Sequence, residues 1–161
     1  MQLISLELKN FQKHKKFSCT FEDGLNLIVG ANWAGKTTLL RAVTYALFGS
    51  SGVNVKVPKL VNIDGVQMSV KLQFSIGERT FEIIRSKTNA SITSGEQTLA
   101  TGQTQVTSYV EGLVGRSAKN FLNFNVVEQE DAQQLLKMGG AKISKLLNEV
   151  TGIDLIDSIE E

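Results

Sequence analysis

Residues 25–49 read LNLIVGANWAGKTTLLRAVTYALFG, and the fold turns on this stretch. Its first five residues are uniformly apolar or nearly so, the pattern of a short strand buried on both faces. Residues 30–37 then fit G-x-x-x-x-G-K-T. From Lys36 onward Leu39, Leu40, Val43, Ala46 and Leu47 follow helical spacing, and Gly49 stands where a C-cap belongs. A strand, a glycine-rich turn and a helix start together make an anion site. The first N–H groups of a helix lack intrahelical partners and point outward, and the helix dipole adds partial positive charge. Gly30 and Gly35 let the backbone curl around a phosphate chain. Lys36 can reach the β- and γ-phosphates as a point charge, and the Thr37 hydroxyl can ligate Mg²⁺.

Trp33 is the odd residue of this loop. The motif leaves its four middle positions open, and phosphate is held by backbone N–H groups, which a tryptophan still has. The site can therefore work. If the position needs positive φ, the indole costs about 1 kcal/mol or more over glycine. The ring then lies on the nucleotide, faces a partner, or packs on a neighbouring loop. The candidate nucleotide-binding residues of the loop are Gly30, Asn32, Trp33, Ala34, Gly35, Lys36, Thr37 and Thr38.

The rest of the chain bounds the answer. Its 161 residues suit one domain-sized unit with a real core. A net charge of +1 selects no acidic or basic partner. The single cysteine, Cys19, excludes a disulfide framework and, falling in an alternating strand pattern, reads as a buried inert thiol rather than a nucleophile. The start MQLISLELKN lacks the features of a signal peptide, and no apolar run approaches the ~20 residues of a membrane span. A soluble protein with no membrane partner is expected, cytoplasmic in a prokaryote or virus and otherwise nuclear.

Alternation predicts strands over 2–11 (Ile4, Leu6 and Leu8 on one face) and 17–22, with a turn at Asp23-Gly24. Residues 66–86 predict an antiparallel hairpin about Gly77. Residues 88–102 predict a short hairpin or loop, and 104–114 and 117–124 predict helices. Residues 131–137, 141–150 and 153–160 also read as helical. The last thirteen residues carry five acids (Glu149, Asp154, Asp157, Glu160, Glu161) and no C-cap signal, the pattern of a cut through a longer helix. A carboxylate following four apolar residues, needed for hydrolysis, is not evident: LVNID (60–64) and FNVVE (124–128) are interrupted by Asn62 and Asn125. TSGEQ (93–97) faintly resembles an LSGGE-type signature, but no amphipathic helix follows it and it reads as a turn. The chain holds half of an ATPase site.

LELKNFQKH (6–14) followed by GANWAGKTTLLRAVTYALFG (30–49) resembles the opening of the SbcC / Rad-fifty DNA-repair ATPases, relatives of the SMC proteins. The carrying residues are Asn10, Phe11, His14, Asn32, Phe48 and Gly49. FLNFNVVEQEDAQQLLKM (121–138) resembles the family's Q-loop region, and LLNEVTGIDLIDSI (146–159) resembles the start of its coiled-coil arm. Trp33 departs from the usual glycine, Gln12 and Lys13 stand where Arg and Ser are frequent, and Glu130 replaces a common Gly, as in a distant member or paralogue.

The resemblance implies an α/β fold. It would be a P-loop ABC-type ATPase head, with an N-terminal lobe of antiparallel β-hairpins, a P-loop strand–helix unit and a helical C-terminal part leading to a coiled coil. It divides the chain into 1–50 (strands, P-loop and first helix), 51–102 (β-hairpins) and 103–161 (Q-loop and arm). It implies ATP and Mg²⁺ as cofactors, Lys36 and Gln129 as catalytic residues, Thr37 and Gln129 on the metal, and Lys13 and His14 beside the nucleotide. Arg85 matches a family arginine; the residues alone allow a cross-strand ion pair equally well. The implied partners are the C-terminal half of the same head, a second identical head in an ATP-dependent homodimer, an SbcD / Mre-eleven-type nuclease and double-stranded DNA. An SMC-like tether without a nuclease and a transporter ATPase subunit are the alternatives. Lys9, Lys13, Lys15 and Lys16 cluster with His14 near the N-terminus, and Lys56, Lys59, Lys71 and Lys87 are other candidates for phosphate contact, with no pattern to choose among them.

Overall fold

The computed structural model describes residues 1–63, 65 and 67–126. The helices expected over 131–137, 141–150 and 153–160, and the Q-loop with Gln129 and Glu130, lie outside the described residues. The chain forms two compact units, 1–115 and 116–161.

The first unit is built on one antiparallel sheet of six strands: β1 (Gln2–Phe11), β2 (His14–Thr20), β3 (Ser69–Ile76), β4 (Arg79–Ser86), β5 (Ala90–Ser94) and β6 (Gln97–Thr101). Their order across the sheet is β2-β1-β3-β4-β5-β6. The alternation read from the sequence sets the register. Leu6 stands opposite Cys19 on one side and Leu72 on the other, and Phe74 stands opposite Phe81. With a period of two, one face then carries Leu6, Leu8, Val70, Leu72, Phe74, Phe81, Ile83 and Ile92, all buried. The other face carries polar residues such as Glu7, Lys71 and Glu82, and Lys71 and Glu82 pair at 2.9 Å.

The apolar face is covered by α1 (Lys36–Phe48) and α2 (Gln103–Val114). Tyr45, Ala46 and Leu47 of α1 and Val106 and Val110 of α2 are buried. Leu40 and Val43, expected in the core face of α1, are only partly buried; Ala42, Tyr45 and Phe48 take the inner positions instead. The helix lies rotated from the simplest apolar stripe because its contacts run to β1, β3, β4 and α2 at once. Gly49 closes α1 as expected, with φ 61° and its N–H bonded to the Tyr45 carbonyl. A Cβ there would lie 2.7 Å from the Arg85 guanidinium, so this cap needs glycine twice over.

Arg85 is not a member of a cross-strand ion pair. It is fully buried, and its fork donates to the last-turn carbonyls of α1, Nε to Ala46 at 3.0 Å and Nη2 to Leu47 at 3.3 Å. Nη1 reaches the Gln103 carbonyl at 3.1 Å and its Oε1 at 2.7 Å, and Nη2 reaches Thr107 Oγ1 at 3.3 Å. The guanidinium thus caps the negative end of α1 and ties it to the first turn of α2. Burial pushes its pKa down to about 10, against a smaller opposing effect of Tyr45, and it stays charged at neutral pH.

In the second unit, α3 (Ala118–Asn125) starts at Ser117, whose hydroxyl accepts the Asn120 N–H at 3.3 Å.

The strand expected over 25–29 is not formed. These residues join no ladder among the described residues, and Leu25, Leu27 and Val29 are 96%, 81% and 82% exposed. The turn before them does form, but it is closed by a side chain: Asn26 accepts the Glu22 N–H at 3.0 Å and donates to the Glu22 carbonyl at 2.8 Å. A strand apolar on both faces needs neighbours on both faces and both edges. Among the described residues the six strands above pair with one another, and none flanks 25–29.

Candidate nucleotide-binding site

The site forms where the β1–β2 turn meets the loop that enters α1. The Asn-Phe pair at the end of β1 explains the turn. Asn10 takes φ 50°, which asparagine tolerates, and its Nδ2 donates to the Gln67 carbonyl at 2.8 Å. Phe11 is fully buried with its ring centroid 5.8 Å from Tyr45. Gln12 also has positive φ, and it is clipped from below. Its N–H donates to the Leu60 carbonyl at 2.6 Å, and its carbonyl accepts from Asn62 Nδ2. Asn62 N–H in turn donates to the Asn10 carbonyl at 2.8 Å. The turn is therefore held rigid, and Lys13 and His14 leave it toward the loop.

Both then touch the loop. Lys13 Nζ donates to the Trp33 carbonyl at 2.8 Å and lies 5.3 Å from the centroid of the indole. The His14 ring packs on Gly35, with Nε2 at 3.4 Å from the Gly35 carbonyl. A Cβ on Gly35 would come within 2.6 Å of that nitrogen, and Gly35 has φ 98°. Glycine is thus required at this position by its dihedral and by the approach of the imidazole.

Gly35 is also the N-cap of α1. It has no side chain to cap with, and the first turn holds no acidic residue. The opening N–H groups of α1 are therefore free of side-chain competitors, which is what an anion needs. Lys36 curls back over the loop, its Nζ donating to the Gly30 carbonyl at 2.7 Å and the Ala31 carbonyl at 2.9 Å. The loop closes on itself through the Ala34 N–H to the Ala31 carbonyl at 3.2 Å. Trp33 sits at φ 68°, the strained region anticipated from its place in the motif. Its ring is 87% exposed and meets the β1–β2 turn only through Lys13 among the described residues.

The structure thus brings Gly30, Asn32, Trp33, Ala34, Gly35, Lys36, Thr37 and Thr38 into one turn with Lys13 and His14 beside it. Asn32, Ala34 and Thr37 are exposed, and Thr38 is buried at the helix start. Gln129 lies outside the described residues. Among the described residues no three His, Cys, Asp or Glu side chains cluster to hold a metal. Thr37, exposed at the helix start, carries a hydroxyl of the kind that joins phosphate oxygens and water around Mg²⁺. Leu60 and Asn62, which fasten the β1–β2 turn, escape sequence reading. Asn62 stands out there only as an interruption in an apolar run. Among the described residues no helix is long and apolar enough to cross a membrane.

This arrangement defines a class, the phosphate-loop segment of an ABC-type ATPase head. The chain belongs to the AAA domain family (AAA_23), whose model matches residues 5–160. It is 29% identical over 166 residues to the DNA double-strand break repair Rad50 ATPase of Thermoplasma acidophilum, covering 98% of this chain and 18% of that protein. It is 32% identical over 109 residues to the Rad50 ATPase of Archaeoglobus fulgidus, covering 68% and 12%. The chain thus spans less than a fifth of the length of these relatives. A solved structure from work on ATP-driven dimerization and DNA-stimulated activation of SMC ATPases superimposes with a TM-score of 0.68 at 20% identity, over 93% of this chain and 99% of that one. That likeness establishes the fold. A structure of the recombination mediator protein RecF (RecF-ATPrS) follows at a TM-score of 0.50 and 28% identity, over 60% and 27%.

Proposed function

We propose that this chain is the ATP-binding half of a DNA double-strand-break repair ATPase head. The observation that carries the proposal is the uncapped start of α1 behind a G-x-x-x-x-G-K-T loop, with Lys36 folded over it and Lys13 and His14 docked at its side. In this reading the N–H groups of the loop hold the polyphosphate. Lys36 exchanges the Gly30 and Ala31 carbonyls for β- and γ-phosphate oxygens, since a charge–charge contact outweighs charge–dipole contacts at the same distance. The Thr37 hydroxyl would hold Mg²⁺, which neutralises phosphate charge when bound, and Gln129 would complete the metal site.

The unpaired apolar run 25–29 supports a second part of the proposal. A downstream half of the same protein supplies the strands that flank it, together with the carboxylate that this chain lacks. Two such heads then close on ATP, and their closure controls a partner nuclease of the SbcD / Mre-eleven type on double-stranded DNA.

The test is ATP binding and turnover by the intact protein, with and without linear duplex DNA, beside Lys36→Ala. The expected result is DNA-stimulated turnover, lost in Lys36→Ala with at least ~10-fold weaker ATP binding. Unchanged ATP binding in Lys36→Ala would remove the loop from the nucleotide site. Binding without turnover in the intact protein would leave an ATP-gated DNA tether.

A further inference from the structure

Trp33 combines two features that ordinarily count against a residue. A bulky side chain is held at φ 68°, and its large apolar ring is 87% exposed. Strain at a residue so placed points to a role for it, and its surroundings identify one. A single side chain, Lys13, meets Trp33 at two separate points: the ammonium donates to the carbonyl at 2.8 Å and faces the ring at 5.3 Å from its centroid. The left-handed backbone turns carbonyl and ring toward the same cation. Lys13 comes from a turn that is itself pinned by Leu60 and Asn62, so the Lys13 side of the contact is held in place.

Lysine left alone is a flexible four-carbon stem that loses much rotamer freedom when it binds. A lysine already held at the rim of a phosphate loop loses less. Its ammonium has three N–H donors. One is taken by the Trp33 carbonyl, which leaves donors for an anion without breaking that contact. We propose that Trp33 is a positioning residue. Its carbonyl and indole face hold the Lys13 ammonium at the mouth of the loop, so that Lys13 acts beside Lys36 as a second, preorganised cation for the nucleotide polyphosphate. This rests on the reading of the loop as a nucleotide site. A glycine at position 33 would relax the dihedral but would leave Lys13 without its ring.

The test is a double-mutant cycle on ATP affinity in the intact protein, measured by calorimetry with Lys13→Met, Trp33→Gly and their combination. Lys36→Ala serves as a separate control. The expected result is that Lys13→Met weakens ATP binding about 2- to 5-fold more when Trp33 is present than in the Trp33→Gly background, the range of an exposed cation–π contact. Trp33→Phe keeps a ring face and is expected to retain part of this coupling. Trp33→Asn, which tolerates positive φ and has no ring, carries the cycle should Trp33→Gly fold poorly. Additive effects would overturn the proposal. So would coupling of the opposite sign, which would mean that Trp33 holds Lys13 away from the nucleotide. Failure of the loop reading has a different signature: ATP affinity unmoved by Lys36→Ala.

Discussion

Replacing Arg85 by methionine tests how α1 is anchored. The side chains are of similar length, so the change removes donors with little loss of volume. Of the groups Arg85 serves, the Gln103 carbonyl keeps a second donor, Thr107 Oγ1 at 2.9 Å. The carbonyls of Ala46 and Leu47 lose their guanidinium donor. An orphaned buried carbonyl costs about 1–3 kcal/mol, so two cost about 4 kcal/mol at mid-range. Against this, methionine needs no desolvation of a buried cation, the same cost that draws the Arg85 pKa down to about 10. We expect a net loss of about 2 kcal/mol. For a chain of this size that lowers Tm by about 4–8 °C. The assay is thermal and denaturant unfolding, with amide exchange at the end of α1 and the start of α2 as the local readout. Faster exchange should concentrate there. Gln103→Ala, which leaves the bonds to Ala46 and Leu47 intact, should cost less. An Arg85→Met variant as stable as the parent, or more so, would refute the reasoning, because desolvation would then outweigh the cap.

Two further predictions follow from close contacts and charge. Gly52→Ala would place a Cβ 2.1 Å from the Thr44 carbonyl oxygen and 2.7 Å from its carbon, backbone atoms of α1 that cannot rotate away. It is expected to cost more than about 3 kcal/mol, read by denaturant midpoint, and a neutral variant would mean the 49–52 turn is free to move. At Glu82, burial favours the neutral acid, but hydrogen bonds from Lys71 and Gln73 and the Lys71 charge together outweigh it and lower the pKa below 4.5. The folded pKa lies below the unfolded one, so this stabilisation is present above pH 4.5 and lost as pH falls through the folded value. The pair is partly exposed, and the difference between parent and Glu82→Gln should shrink by only about 0.5 kcal/mol between pH 6 and pH 3.

Much of the molecule is legible locally. Alternation along 2–11 and 69–86 depends on which side of a sheet meets the core, and that shows in any half-buried strand. The geometry of the candidate anion site is legible for the same reason. It is made of one turn and its helix start, and glycines, lysine and hydroxyl must stand at fixed spacing to make it. Even the strain at Trp33 follows from its position in the turn. The partners of these groups do not. Burial on both faces is visible in LNLIV, but the strands that would cover it are not its sequence neighbours, and this chain leaves the run exposed. Arg85 at a strand end suits an ion pair as well as a helix cap; only the packing of α1 against β4, with α2 against α1, chooses the cap. Lys13 and Trp33 are twenty residues apart and meet because Leu60 and Asn62 clip the turn between β1 and β2. The sequence alone determined the alternating strands, the helices of the first unit and the turn that the loop makes, since each depends on spacing within one turn or one element. Tertiary structure decided which distant groups answer which, since a contact between remote segments leaves no period in either of them.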